Sequence, residues 1–293
     1  MSNAHYGSRE AAMKMKFTFL ILLLFLWQPA LADDDDESLA PADNKEYRGG
    51  TLRLGAFAVG DIKTRAYFGP VDIPLRGAID ISEDLGLGDH LIAFRSSFTY
   101  RFSKRHAMSI GYYRMNLDGI VQLERTIELG DSEFDIGIDV NSSYDEQITK
   151  FAYNFIFHDE GRVMLSVAAG IHFSKAQLSM QVLGGSPSDT AVDESESRSI
   201  AAPLPMIGGR LVYRLSPKWK ILAATDIFFF NRDSQEGQLN DTHILIEYKA
   251  SDHFSVGGGI NRFSLDLQLL DDDRQWDWSS VHTGVHFYVG YTF

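Results

Sequence analysis

Short constellations in this 293-residue chain carry residue types able to do chemistry. Asp241-Thr242-His243 sets a carboxylate and an imidazole two residues apart. On an extended strand both point to one side and supply the parts of a general acid/base pair. A hydrolase would need a second carboxylate pair near them, and none can be located in the sequence. Ser109 near His106, and Ser279-Ser280 near His282, offer hydroxyls beside imidazoles. Proximity along a strand is poor geometry for a nucleophile and its base, because neighbours point to opposite faces. With no complete catalytic set, the chain is expected not to be an enzyme.

Metal and phosphate chemistry fare no better. His282-x-x-x-His286 would suit a metal on a helix. On a strand the two Cα atoms stand roughly 13 Å apart, too far for one tetrahedral zinc with bonds near 2 Å. Gly257-Gly258-Gly259 lacks the following helix and lysine of a phosphate loop and reads as small residues easing strand packing. Asp271-Asp272-Asp273 with Asp277, and the acidic run from Asp189 to Glu196, lack the spacing of an EF-hand. Cysteine is absent, which excludes disulfides, thiolate ligands and thiol nucleophiles. No metal and no cofactor are expected.

The formal charge of −13 argues against a nucleic-acid partner, since phosphates bind basic surfaces. The first 32 residues are the exception, with Arg9, Lys14 and Lys16 against Glu10. Lys14 and Lys16 precede an apolar run from Phe17 to Trp27, and Ala30-Leu31-Ala32 follows as a small-x-small cleavage site. This is the pattern of a secretory signal peptide, and the run is shorter than the roughly 20 residues of a spanning helix. Initiation at Met13 or Met15 would give a more usual signal length. Residues 1–32 are therefore read as a signal peptide, 33–49 as an acidic tail opened by Asp33 to Asp36, and 50–293 as a single folded domain.

The elements that must position any site are strands. Val281, Thr283, Val285, Phe287, Val289, Tyr291 and Phe293 occupy one face of the last segment, and His282, Gly284, His286, Tyr288, Gly290 and Thr292 the other. The same period of two recurs in 92–102, 151–157, 162–173, 207–213, 219–227 and 244–248. Segments 105–118 and 253–267 alternate less cleanly. Tight turns are expected at Ser103-Lys104-Arg105, His158 to Gly161, Ser216-Pro217 and Ser251-Asp252. Phe102, Phe157, Tyr213, Trp219, Tyr248 and Phe254 flank them as an interfacial girdle would. Long polar connections are expected at about 61–89, 119–142, 175–202, 231–238 and 266–279. Five long loops and four short turns give an all-β fold, a transmembrane antiparallel up-and-down β-barrel of ten strands, with eight or twelve as alternatives. Closure then pairs Thr51 to Val59 with the last strand.

In such a barrel Arg53, Arg95, His172, Arg210, Asp226, Glu247 and His286 point inward. Unpaired charges are costly in an enclosed interior, so these residues are expected to pair as a polar network filling the lumen.

The ending Phe287-Tyr288-Val289-Gly290-Tyr291-Thr292-Phe293 resembles the C-terminal signal recognised by the outer-membrane assembly machinery, in which Phe287, Val289, Gly290, Tyr291 and Phe293 carry the pattern. With the signal peptide, it makes the chain similar to the OmpA/OmpW-like β-barrel superfamily. The resemblance implies integral insertion in a bacterial outer membrane, both termini periplasmic, and outer-membrane lipid, lipopolysaccharide and the assembly machinery as partners. OmpW-like members have eight strands and a proposed role in transport of small hydrophobes; the extra hairpin read here departs from them. Three functions are weighed: a structural or surface-interaction role through external loops, a narrow channel for small solutes, and a lipid or peptide hydrolase.

Overall fold

The computed structural model describes residues 48–70, 78–88, 90–129, 132–183, 195–232, 235–271 and 274–293. The expected signal peptide, nearly all of the acidic tail and most of the acidic run at 189–196 lie outside the described residues. Among the described residues thirteen strands follow in chain order: β1 Gly49–Pro70, β2 Ile79–Asp80, β3 Leu91–Arg101, β4 His106–Gln122, β5 Ile127–Leu129, β6 Ser132–Phe134, β7 Asp139–Glu160, β8 Val163–Val182, β9 Ser195–Arg214, β10 Trp219–Arg232, β11 Gln235–Lys249, β12 Phe254–Asp271 and β13 Arg274–Thr292. Ten of them form the wall, in the order β1-β3-β4-β7-β8-β9-β10-β11-β12-β13, and β13 pairs antiparallel with β1 from Thr51↔Thr292 to Pro70↔Arg274. The cylinder therefore has no edge along its lower half, and its backbone groups are satisfied between neighbours.

The expected short turns join the strands at one end. At the β7–β8 turn the strand runs on to Glu160, past the expected start of the turn at His158, and reverses at Gly161, whose φ of +53° suits glycine. A bulge between Ile156 and His158 takes up the shift.

The opposite end differs from expectation. The segments read as long polar loops are largely strand, because β1, β4, β7, β8, β9, β12 and β13 run far beyond the ten or so residues that cross a bilayer. The alternation persists but its polarity inverts. On β8 the outward row is Val163, Leu165, Val167, Ala169, Ile171 and Phe173, then Lys175, Gln177, Ser179 and Gln181. The inward row changes in the opposite sense, from Ser166, His172 and Ser174 to Ala176, Leu178 and Met180, all buried. On β7 the outward row changes from Phe151 to Thr149, with Gln147, Asp145 and Ser143 beyond. The apolar stretch of β8 spans about 33 Å along the strand, or roughly 25 Å of height at a tilt near 40°, the thickness of a barrel's lipid-facing band. Phe94, Phe151, Phe157, Val167, Ile207, Trp219, Ile246, Val256, Phe287 and Tyr291 belong to this exposed belt.

Above the belt the barrel is filled like a soluble core. Phe57, Ile62, Tyr113, Met115, Tyr144, Ile148, Leu178, Leu204, Leu239, Phe263, Leu265 and Trp278 form one buried cluster with Ile79, Ile81, Leu85, Leu87, Ile127, Leu129 and Phe134 from the connections. The β1–β3 ladder stops at Val59↔Leu91, and residues 78–88 fill the gap this leaves. β2 pairs with β1 at Arg65 and Ala66, and Gly119 lets the backbone of Gly86 approach β4 where a Cβ would stand 2.7 Å from its oxygen. The β5–β6 hairpin crosses the mouth, β5 lying against β1 and against β9 five strands around the ring.

Candidate functional site

Of the polar side chains expected in the lumen, His172, Asp226, Glu247 and His286 are buried and Arg53, Arg95 and Arg210 half-buried, and they form tiers. Near the turns, Asp159 accepts from Arg101 Nη2 at 2.8 Å and from Arg214 Nη2 at 2.7 Å. On the facing wall Glu247 receives Arg53 Nε at 3.0 Å, Lys220 Nζ at 2.6 Å and the Tyr288 hydroxyl at 2.7 Å. Gly257 makes this last contact possible, because a Cβ there would lie 2.4 Å from the Tyr288 ring. The glycine run is thus a packing device, as its lack of a helix and lysine suggested.

The middle tier centres on Lys150. Its ammonium lies 2.8 Å from Asp226 Oδ2 and 3.2 Å from Asp241 Oδ2. Arg210 Nη2 reaches Asp226 Oδ1 at 2.5 Å, Arg95 lies 3.7 Å from Asp241, and Asn261 bridges them by accepting from Arg95 at 2.6 Å and donating to Asp241 at 2.9 Å. His172 Nε2 stands 3.8 Å from Asp226, beyond hydrogen-bond reach. His286 is buried against the Tyr288 ring, with Nε2 lacking a hydrogen-bond partner. All seven expected network residues face the lumen. The structure pairs Arg53 with Glu247 and Arg210 with Asp226, brings His172 near that second pair, and leaves His286 outside the hydrogen bonding.

The network also takes in Lys150, Asp241, Asn261, Lys220 and Tyr288, which the sequence expectation does not include although their rows carry the signal. Lys150 shares its inward row with Ala152 and Asn154, opposite Phe151 and Tyr153. One lysine amid an aromatic run is easy to assign to solvent, yet period two turns it inward.

His172, Asp226 and Asp241 bring three ligand atoms within 4.8 Å of one another, a spacing able to hold a metal ion. The Lys150 ammonium lies against both carboxylates, so a cationic group already neutralises them. Asp241 and His243 do lie on one face, as the acid/base reading required. They sit at mid-strand below the apolar core, where a substrate arriving from the mouth would not meet them.

A third tier lies at the base of the apolar core. Glu146 Oε2 accepts from the Tyr144 hydroxyl at 2.6 Å and lies 3.2 Å from His282 Nε2, while Ser280 Oγ lies 2.8 Å from that same nitrogen. Serine, histidine and glutamate thus meet, but serine and acid share one nitrogen, His282 Nδ1 has no partner, and all three residues are wholly buried. A nucleophile needs the acid on the far nitrogen and access for substrate, so this cluster is cohesive rather than catalytic. Ser109 and His106 point to opposite sides of β4: the hydroxyl binds Asn154 inside, and the imidazole binds Tyr153 outside.

Fold and interior together define a transmembrane β-barrel with a filled lumen. No family model and no curated protein matches the sequence. Among solved structures the chain is similar to the outer membrane protease OmpT from Escherichia coli, at 10% identity over 83% of this chain and 97% of that one, TM-score 0.44. It is also similar to the translocator domain of the autotransporter NalP from Neisseria meningitidis, at 9% identity over all of both chains, TM-score 0.40. A third likeness is to Ail, the attachment invasion locus protein of Yersinia pestis, at 13% identity over 84% and 99%, TM-score 0.33. At these values no neighbour's activity transfers.

Proposed function

We propose that this protein is a non-conducting barrel of the bacterial outer membrane with a structural and surface-interaction role. The filled interior carries the reading. An ion-paired layer closes the lumen within the belt, and a dry core with a crossing hairpin closes it again above. Between the two layers lies a cavity of about 30 Å³ lined by Phe57, Arg95, Tyr113, Asp241, Asn261 and His282, room for one water rather than a path. Ten strands are near the size at which side chains fill a barrel, well below the 16 to 18 of porins.

The short turns belong in the periplasm and the extended wall outside, by the asymmetry usual in such barrels. The exterior of that wall is hydrophilic where β7, β8 and β9 meet. A groove of about 320 Å³ is lined there mainly by serine, asparagine and glutamine side chains, among them Asn141, Ser143, Gln177, Ser179 and Ser197, with Glu196 and Met180 also in its lining. Hydroxyl and amide groups at this height suit contact with the saccharide of lipopolysaccharide or another cell's surface. Planar-bilayer recording on refolded full-length protein tests the reading: electrical silence is expected, and reproducible single-channel steps would replace it with the channel. An envelope that keeps both its integrity and its surface binding when the protein is lost would count against the surface role.

A further inference from the structure

The wall is not sealed everywhere. β9 and β10 pair from Lys220↔Arg214 only to Ile227↔Ile207, yet β10 continues to Arg232 and β9 begins at Ser195. Beyond that last rung two strand edges face one another without pairing. On their other sides both strands stay paired, β9 with β8 out to Gln181↔Ser195 and β10 with β11 out to Arg232↔Gln235. The comparable gap between β1 and β4 is filled by residues 78–88, whereas no strand among the described residues enters this one.

Two prolines account for the break. Extending the register would set Pro205 opposite Phe229 and Pro203 opposite Asn231. Proline has no N–H, and alternate residues of a strand present their N–H to the same edge. The ladder with β8 runs unbroken past both prolines, so the edge they blunt is the one turned toward β10. Pro203 and Pro205 lie opposite Phe173 and Ile171, the last apolar outward residues of β8, so the break opens at the outer rim of the belt. Its lips are apolar: Ile207 is 64% exposed and Phe229 75%. Phe230 shares the inward row of Asp226 and Phe228 and is still 37% exposed, as a side chain beside an opening should be. Leu204 and Met206, the inward residues of β9 at this height, are buried behind it.

We propose that the β9–β10 seam is a lateral docking site for an acyl chain of an outer-leaflet lipid, with the lipid's polar head at the unpaired edge of β10 above Ile227. The seam is continuous with the lipid-facing belt, which fixes the source of the occupant. The prolines offer no donors to an added strand, so an edge-pairing peptide is a poor fit. A chain lying along Pro203, Pro205, Ile207 and Phe229 needs none. The free amides and carbonyls of β10 take partners from a headgroup at the interface, where unsatisfied backbone is tolerated.

The absence of cysteine makes the test direct. Single variants Phe230→Cys, Phe287→Cys and Ser199→Cys, each carrying a small fluorophore, are refolded into vesicles containing phospholipid brominated along the acyl chain. The Phe230 label is expected to be quenched about as strongly as the belt label at Phe287 and shielded from aqueous iodide, with the Ser199 label showing the reverse. Replacing Pro203 with Thr and Pro205 with Val restores two N–H groups, lets β10 pair onward, and is expected to abolish acyl-chain quenching at 230. A Phe230 label quenched by iodide but not by bromolipid would overturn the proposal, as would quenching unaffected by the proline replacements. Should the double proline variant fail to fold, the comparison of the three single variants still decides.

Discussion

Lys150 is the keystone of the middle tier, and Lys150→Met tests the electrostatic reading of the interior. Its ammonium neutralises Asp226 at 2.8 Å and Asp241 at 3.2 Å, with the three side chains 16%, 1% and 5% exposed. Methionine preserves most of the stem and removes the charge. Taking one partner from a buried pair costs about 3–5 kcal/mol, because the remaining charge is left uncompensated. Asp226 keeps Arg210 at 2.5 Å and Asp241 keeps Arg95 at 3.7 Å, which places the expectation at the lower end, about 3 kcal/mol. Equilibrium urea unfolding in phospholipid vesicles, followed by tryptophan emission, measures the loss. Combining Lys150→Met with Asp241→Asn removes one of the stranded charges and should cost less than the sum of the two single changes. A single-variant loss below about 1 kcal/mol, or strict additivity in the double, would refute the reasoning.

Other perturbations reach separate parts of the structure. In Gly208→Ala the new methyl would lie 2.1 Å from Asp226 Oδ1 and 2.6 Å from Arg210 Nη1, so about 1–3 kcal/mol of overpacking is expected in the same urea assay. Tyr144→Phe removes the 2.6 Å donor to wholly buried Glu146 and should lower stability by about 1–3 kcal/mol without altering the belt, read by urea unfolding and lipid quenching together. Segment 78–88 should loosen in acid. Burial tends to raise the Asp84 carboxyl, but hydrogen bonds from Arg125 and the Asp80 amide outweigh it and hold the group below the usual carboxylate range. A depressed carboxyl stabilises above its unfolded value near 3.9, and that contribution fades as pH falls through the lower folded value. Hydrogen exchange at Ile79 to Leu87 should therefore stay protected at pH 5 and lose protection below about pH 4, and Arg125→Gln, which leaves only the Asp80 amide on the carboxyl, should weaken the pH dependence.

The belt and the strand count were legible because lipid enforces one rule at every outward position: Phe151, Tyr153, Phe155 and Phe157 can have no other purpose in alternation with Ala152, Asn154 and Ile156. The upper wall reads as loop in the sequence because the rule reverses there. Where water replaces lipid, Asn141, Ser143, Asp145 and Gln147 face outward while Val140, Tyr144 and Ile148 turn in. Polarity there looks like irregularity although the period of two persists. The lumen residues could be named from their rows, but their partners could not. Lys150 meets Asp226 across 76 residues and Asp241 across 91, contacts set by how far each strand slides past its neighbour. The Glu146–His282 contact depends on the same offset, so neither residue alone signalled it.

The inversion of the outward row is the claim on which belt, filled core and seam all rest, and a cysteine scan along β8 measures it. Positions 165, 167, 169, 171 and 173 are expected to resist a water-soluble maleimide and to be quenched by acyl-chain bromines when labelled in detergent before reconstitution. Positions 175, 177, 179 and 181 are expected to react freely with the maleimide, and positions 168, 172, 176 and 178 to be inert to it from either side of the membrane. Aqueous labelling at the even positions would mean an open lumen, and lipid quenching that continues through 181 would mean that the row never inverts.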